Sequence, residues 1–326
     1  LATLPPLMLA MAVNLGQLSY WVVVGFGVIM ASIQSLSDPA RQATLSRVVR
    51  IDIQRSVTIM TIFGSLVGLT GFYLGGELDV LGLEVVLLLQ ALLFVAGMFA
   101  IRRLPGLPAV SDRKLHLGPL VAFRSAFQVT WRVPLARNVI GLNFMSSLFN
   151  AGAYIIAIPY IVTELYQGDA GLLSRIMIVF TIGGIGSNVL LLFFMPLKHP
   201  GKLFLLLQLT RVLILFLVWI QPTLWLLFAV ILAWGINMGV TTTLVRTTVQ
   251  ELAPVQDRAQ ILSVLLLSFM VSSPISSMLL GLLIANFTPT AALLPGMVIS
   301  IAIFLIGFLK SGLWQYRSQG LCGEWL

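Results

Sequence analysis

An all-α polytopic membrane protein is the fold class that this sequence predicts, with ten transmembrane helices set as four and then six. Three observations carry it. Of 326 residues, 59% are hydrophobic and 9% are charged, against about 25% charged in ordinary soluble domains, and the mean hydropathy is +1.03. Apolar runs of about twenty residues, the length that crosses a hydrocarbon core about 30 Å thick, recur along almost the whole chain. The basic residues, finally, fall in alternate loops. The net charge of +8 therefore reads as a positive-inside bias and not as a nucleic-acid footprint. One cysteine, Cys322, and two histidines, His116 and His199, leave no disulfide framework and no metal-ligand cluster. No cofactor is expected.

The helices are expected at 3–18, 20–40, 56–76, 84–102, 138–163, 172–195, 203–220, 223–246, 260–284 and 291–313. Residue 1 is leucine and the chain opens inside an apolar stretch without a basic region before it, unlike a signal peptide. The expectation is a chain that begins partway through a protein. Arg41, Arg47, Arg50 and Arg55 follow the second helix, and Arg102, Arg103, Arg113, Lys114, Arg124, Arg132 and Arg137 follow the fourth. Lys198 and Lys202, Arg246 and Arg258, and then Lys310 and Arg317 continue the same side; only Arg175 and Arg211 fall elsewhere. Glu77, Asp79, Glu84, Glu164 and Asp169 occupy the opposite loops. The basic side is expected to be cytoplasmic, the C-terminus included.

The domains expected are a four-helix bundle over 1–102, a cytoplasmic linker over 103–137, a six-helix bundle over 138–313 and a tail over 314–326. In the linker, Phe123, Phe127 and Trp131 repeat every fourth residue beside Arg124, Gln128 and Arg132, the pattern of a short amphipathic helix on a membrane surface. An internal repeat joins the bundles. Arg41 and Asp52 recur 205 positions later as Arg246 and Asp257, and Gly76 falls on Gly281 at the same offset. Two related halves are a common transporter design.

Three polar or small-residue stretches stand out. Gly64, Gly68, Gly71 and Gly75 share one helix face, which lets another helix approach closely. Gly183, Gly184, Gly186 and Ser187 form a similar patch. Asn143, Ser147, Asn150 and Tyr154 share a stripe on the fifth helix, read either as interhelical hydrogen bonding or as a cavity wall. Arg211 lies well inside the seventh helix, where an arginine is a functional candidate by default. No Asp or Glu sits in the middle of an expected helix, and there is no P-loop, HExxH or Ser/His/Asp set. An enzyme is not expected.

Three runs resemble the major facilitator superfamily, in its enterobactin-exporter and macrolide-efflux branch. Ser37-Asp38-Pro39-Ala40-Arg41-Gln42-Ala43-Thr44-Leu45, then Arg47-Val48-Val49, is similar to the SPARQALLPxLV run at the cytoplasmic end of that family's fourth helix. Gly68-Leu69-Thr70-Gly71-Phe72-Tyr73-Leu74-Gly75-Gly76 resembles the antiporter glycine motif of its fifth, with Phe72 where proline is usual. Thr247 to Pro254, then Asp257-Arg258-Ala259 and Ser273-Pro274, resembles its tenth-to-eleventh helix region.

The resemblance implies a two-bundle fold with ten of twelve helices, corresponding to the family's third to twelfth. Ser272, Ser273, Ser276 and Ser277 are then expected to pack against the absent second family helix, and Asp38 and Arg41 to lack their gating partners. Arg246, Asp257 and Arg258 are the matching cytoplasmic charges. The resemblance further implies that Gln34, Asn143, Ser147, Asn150, Tyr154, Asn237 and Thr241 line a substrate cavity, with Phe149 and Trp234 adding aromatic surface. It also implies that the face carrying Gly64, Gly68, Gly71, Gly75 and Gly76 packs on the Gly183 patch. Arg211 falls on a peripheral helix, which favours pairing or snorkelling over substrate contact.

The function implied is secondary active efflux of a small amphiphilic or siderophore-like compound from the bacterial inner membrane, by a monomer with protons as candidate coupling ion. A lipid or lysolipid flippase and a non-transporting remnant are the alternatives.

Overall fold

The structure, a computed structural model, describes residues 2–48, 53–103, 119–194, 197–254 and 257–318. Among them the chain is helical throughout and falls into two compact units, Leu1–Lys114 and Leu115–Leu326.

The first unit holds α1 (Leu4–Asn14), α2 (Tyr20–Val48), α3 (Ile53–Gly76), the single turn α4 (Leu78–Leu81) and α5 (Leu83–Arg102). Leu9 and Ala10 of α1 and Leu87 of α5 form its buried cluster, with Phe26 of α2 against it. The glycine face of α3 is open within this unit: a Cβ added at Gly64, Gly68, Gly71 or Gly75 meets nothing within 4 Å. Asp52, Arg113, Lys114 and Cys322 lie outside the described residues, as do the side chains of Asp38 and Arg41.

The second unit holds α6 (Pro119–Arg132), α7 (Pro134–Leu165), α8 (Ala170–Phe194), α9 (Pro200–Trp219), α10 (Leu224–Leu252), α11 (Arg258–Asn286) and α12 (Leu294–Lys310). Pro134 and Pro200 open α7 and α9, where the missing N–H costs no helical bond. Ala253 closes α10 in the extended conformation that a following proline favours. α7 is not uniform. Around Pro159, which cannot donate into the ladder, two π-helical turns form at Ala153–Ala157 and Ile161–Leu165.

Each expected segment overlaps one of the observed helices. Seven helices among the described residues are long and apolar enough to cross a membrane: α5, α7, α8, α9, α10, α11 and Ala291–Lys310, which contains α12. Leu4–Asn14 and Tyr20–Gln34 are apolar but shorter. The chain is thus a multi-pass helical membrane protein.

α6 lies where the linker helix was expected and packs on the second unit. Ala126 and Thr130 are buried on one face, Ala126 in a cluster with residues of α7, α10 and α11. The other face exposes Phe123, Phe127 and Trp131, with the Arg137 guanidinium 5.0 Å from the Trp131 ring centre.

Small residues set the tightest helix pairing. Gly183-x-x-x-Ser187 on α8 faces Gly235-x-x-x-Gly239 on α10, so the two backbones approach without side chains between them. Part of the Gly183 patch is therefore already engaged by α10 inside this unit. Gly183 is closed off by the Leu232 carbonyl of α10, and Gly186 alone of that patch is open. Ser272 and Ser276 of α11 are buried against their own unit, with the Ser276 hydroxyl accepting from the Gly152 N–H at 2.7 Å. Ser273 and Ser277, the other two of the four, are half-buried.

The basic loops meet the tail at one end of this unit. Ser318 N–H donates to the Lys198 carbonyl at 3.1 Å, Arg317 Nε to His199 Nε2 at 3.2 Å, and the Lys202 ammonium lies 4.8 Å from the Trp314 ring centre. Tyr316 donates to Glu251 Oε2 at 3.1 Å. Burial, then the Glu251 charge and this hydrogen bond, push the Tyr316 hydroxyl from 10.0 to about 12. The proton is held more tightly in the folded state, so the stability linked to it is full below pH 10.0 and is lost as pH rises through about 12. An absorbance titration of Glu251→Gln should show one tyrosine ionising at lower pH than in the wild type. Superimposable curves would mean that the tail is not docked there.

Candidate functional site

Two apolar clusters fill the ends of the second unit. One gathers Ala153 to Val162 of α7 with Val218, Ile231 and Trp234; the other gathers Val139, Phe204, Leu244, Val249 and Ile261. Between them lies a buried polar layer, made by Asn143, Ser146 and Asn150 of α7, Gln208 and Arg211 of α9, Asn237 and Thr241 of α10, and Ser272 and Ser276 of α11. These residues recur three and four apart on their own helices, so each helix turns one polar stripe inward at the same height.

Arg211 is the centre of the layer. It is 1% exposed, so it does not snorkel. Its Nε and Nη2 donate to Asn237 Oδ1 at 3.1 and 2.8 Å. Nη1 donates to Ser146 Oγ at 2.5 Å and more weakly to Gln208 Oε1 at 3.5 Å, and Nη2 reaches Thr241 Oγ1 at 3.3 Å. Asn237 is held in turn by donating to the Leu207 carbonyl and to Thr210 Oγ1, both at 2.8 Å. Every partner is neutral. The expected pairing takes the form of a cage of dipoles, which satisfies the five donors of a guanidinium and leaves its charge in place.

A cavity of about 340 Å³ opens beside the cage. Asn143, Ser147, Asn150 and Thr241 line it, as does Arg246, one of the cytoplasmic charges. Tyr154 does not. The α-helical spacing that put it in the stripe ends at Gly152, and in the π-helical turn that follows its ring stacks on Phe180 with centroids 4.0 Å apart, edge-on to the buried Trp234. Trp234 is likewise core and not cavity surface. Asn237 touches Arg211 rather than the cavity, and Gln34 is an exposed residue of the first unit. Asp257 stands at the N-cap of α11 without a side-chain cap bond, and Arg258 beside it is exposed.

Sequence reasoning overlooked Ser146 and Gln208, whose signal was their spacing: Gln208 is three residues before Arg211, and Ser146 three after Asn143. Several buried polar atoms here lack partners: Asn143 Nδ2, Asn150 Oδ1 and Gln208 Nε2. Among the described residues no group of His, Cys, Asp or Glu could hold a metal ion.

No curated protein matches the chain. The family profile described as transmembrane secretion effector, a division of the major facilitator superfamily, matches residues 1–319. The chain belongs to that family.

Proposed function

We propose that the protein is a secondary active exporter that moves a small amphiphilic or siderophore-like compound by alternating access. The observation that carries the proposal is the polar layer with its cavity, built at mid-height in a membrane-crossing bundle. Burying amides, hydroxyls and a guanidinium away from water costs several kcal/mol per unsatisfied group, and transporters accept such costs where substrate binds near the bilayer midplane. The ten helices act as spans in this reading, in the enterobactin-exporter and macrolide-efflux branch, with protons as the coupling ion and the protein working as a monomer. The membrane is the bacterial inner membrane, and the basic loops and C-terminus face the cytoplasm. Asp38, Arg41, Arg246, Asp257 and Arg258 are candidate gating charges of that cytoplasmic face in this reading.

Full-chain protein in proteoliposomes with an imposed pH gradient tests the proposal. Gradient-dependent movement of at least one amphiphile is expected, and absent when the gradient is collapsed. If no tested compound moves in response to the gradient, the exporter reading fails.

A further inference from the structure

We infer that the Arg211 cavity is an anion site, taking the oxyanion group (carboxylate or phosphate) of an amphiphilic substrate; the inference rests on the transporter reading for its biological sense. Arginine keeps its charge at any accessible pH. The contacts of Arg211 are hydrogen bonds to neutral oxygens, and a more distant sulfur contact to Met238. Such dipoles solvate a cation without cancelling its charge, and in a low-dielectric bundle that field reaches into the adjoining cavity.

A purely structural arginine would be a poor solution here, since a well-packed apolar side chain usually does as well or better than a buried ion. The cavity repeats the same sign. Its other charged lining residue is Arg246, and among the described residues no Asp or Glu lines it. Two of the three loose polar atoms of this layer agree, the third being the acceptor Asn150 Oδ1. Asn143 Nδ2, in the cavity wall, and Gln208 Nε2, in the Arg211 network, are buried donors without acceptors. Two idle donors beside two cations are completed by an acceptor-rich anion, through charge-assisted hydrogen bonds. Met238, Leu266, Phe269 and Met270 supply apolar wall for a tail.

The test uses purified full-chain protein in nanodiscs of zwitterionic lipid, with octyl phosphate, octyl glucoside and octyltrimethylammonium as probes that differ in head-group charge. Octyl phosphate should bind at least about tenfold more tightly than the other two, the ratio that about 1.4 kcal/mol provides. Ser147→Asp, which sets a carboxylate in the cavity without touching Arg211, should abolish that preference. Arg246→Gln, at an exposed position, should reduce it several-fold. Arg211→Gln should remove it, provided that the variant is monodisperse. Equal affinity for the three probes, or a preference that survives Ser147→Asp, overturns the inference.

Competition by inorganic phosphate, octyl phosphate and lysophosphatidylglycerol then names the source. The tightest competitor marks a free anion, a soluble amphiphile or a lipid head group as the one that the oxyanion site serves. Gradient-driven movement of a neutral or cationic probe without anion preference defeats this inference and leaves the exporter intact. Arg211-dependent anion binding without gradient-driven movement does the reverse.

Discussion

Replacing Gly235 with alanine is expected to cost about 3 kcal/mol or more, the upper end of what overpacking a core does. The added Cβ would lie 2.0 Å from the Phe180 carbonyl oxygen and 2.9 Å from its carbon. Both atoms belong to the α8 backbone, so no side-chain rotation relieves the clash, and one helix must retreat. Retreat also opens the contacts that Gly183 makes with Leu232 and that Gly239 makes with Gly184 and Ser187. Against a total stability of about 5–15 kcal/mol, that loss should lower the unfolding midpoint in detergent by roughly 6 °C or more and reduce monodisperse yield. Gly186→Ala is the control, because an added Cβ there meets nothing within 4 Å inside the same unit. A Gly235→Ala midpoint equal to that of the control would show that α8 and α10 do not meet as described.

That contrast also shows what was legible in the sequence. Apolar run length and loop charge placed the helices, since both follow from the bilayer as solvent and need no knowledge of neighbours. Polar spacing on α7 put Asn143, Ser147 and Asn150 on one stripe, and all three line the cavity of this unit. Glycine faces were less informative. Gly64, Gly68, Gly71 and Gly75 repeat more regularly than the α10 pair, yet the close approach occurs at Gly235 and Gly239, because a smooth face permits contact without naming a partner. Tyr154 failed differently, since a stripe drawn at 3.6 residues per turn does not survive a π-helical turn. Arg211 was visible as an anomaly, but its cage was not. Apart from Gln208 on α9 itself, its partners come from α7 and α10, far away in sequence, and none carries the opposite charge that a pairing argument would look for.

Asn237→Leu and Asn237→Asp should part company, and the difference isolates the Arg211 charge. Leucine removes the acceptor of the Nε and Nη2 bonds and the donor to the Leu207 carbonyl and Thr210 Oγ1. A hydrogen bond to a charged group is worth about 1.5–3 kcal/mol, and stranding a buried charge costs about 3–5 kcal/mol, so Asn237→Leu should lose about 3–5 kcal/mol and unfold far below the wild type. Aspartate keeps an oxygen where Oδ1 stands and adds the missing opposite charge. It forfeits the two bonds that the amide donates, leaving stability close to wild type, within about 1–2 kcal/mol. Its effect on binding should be larger than its effect on folding. An internal carboxylate neutralises Arg211, so octyl phosphate should lose its advantage over octyl glucoside although the cavity keeps its shape. Thermal unfolding and the binding ratio, measured on the same two proteins, decide the matter. A well-folded Asn237→Leu variant would show that the stability of this layer does not pass through Asn237, and an Asn237→Asp variant that still prefers the anion would show that the selectivity does not rest on the Arg211 charge.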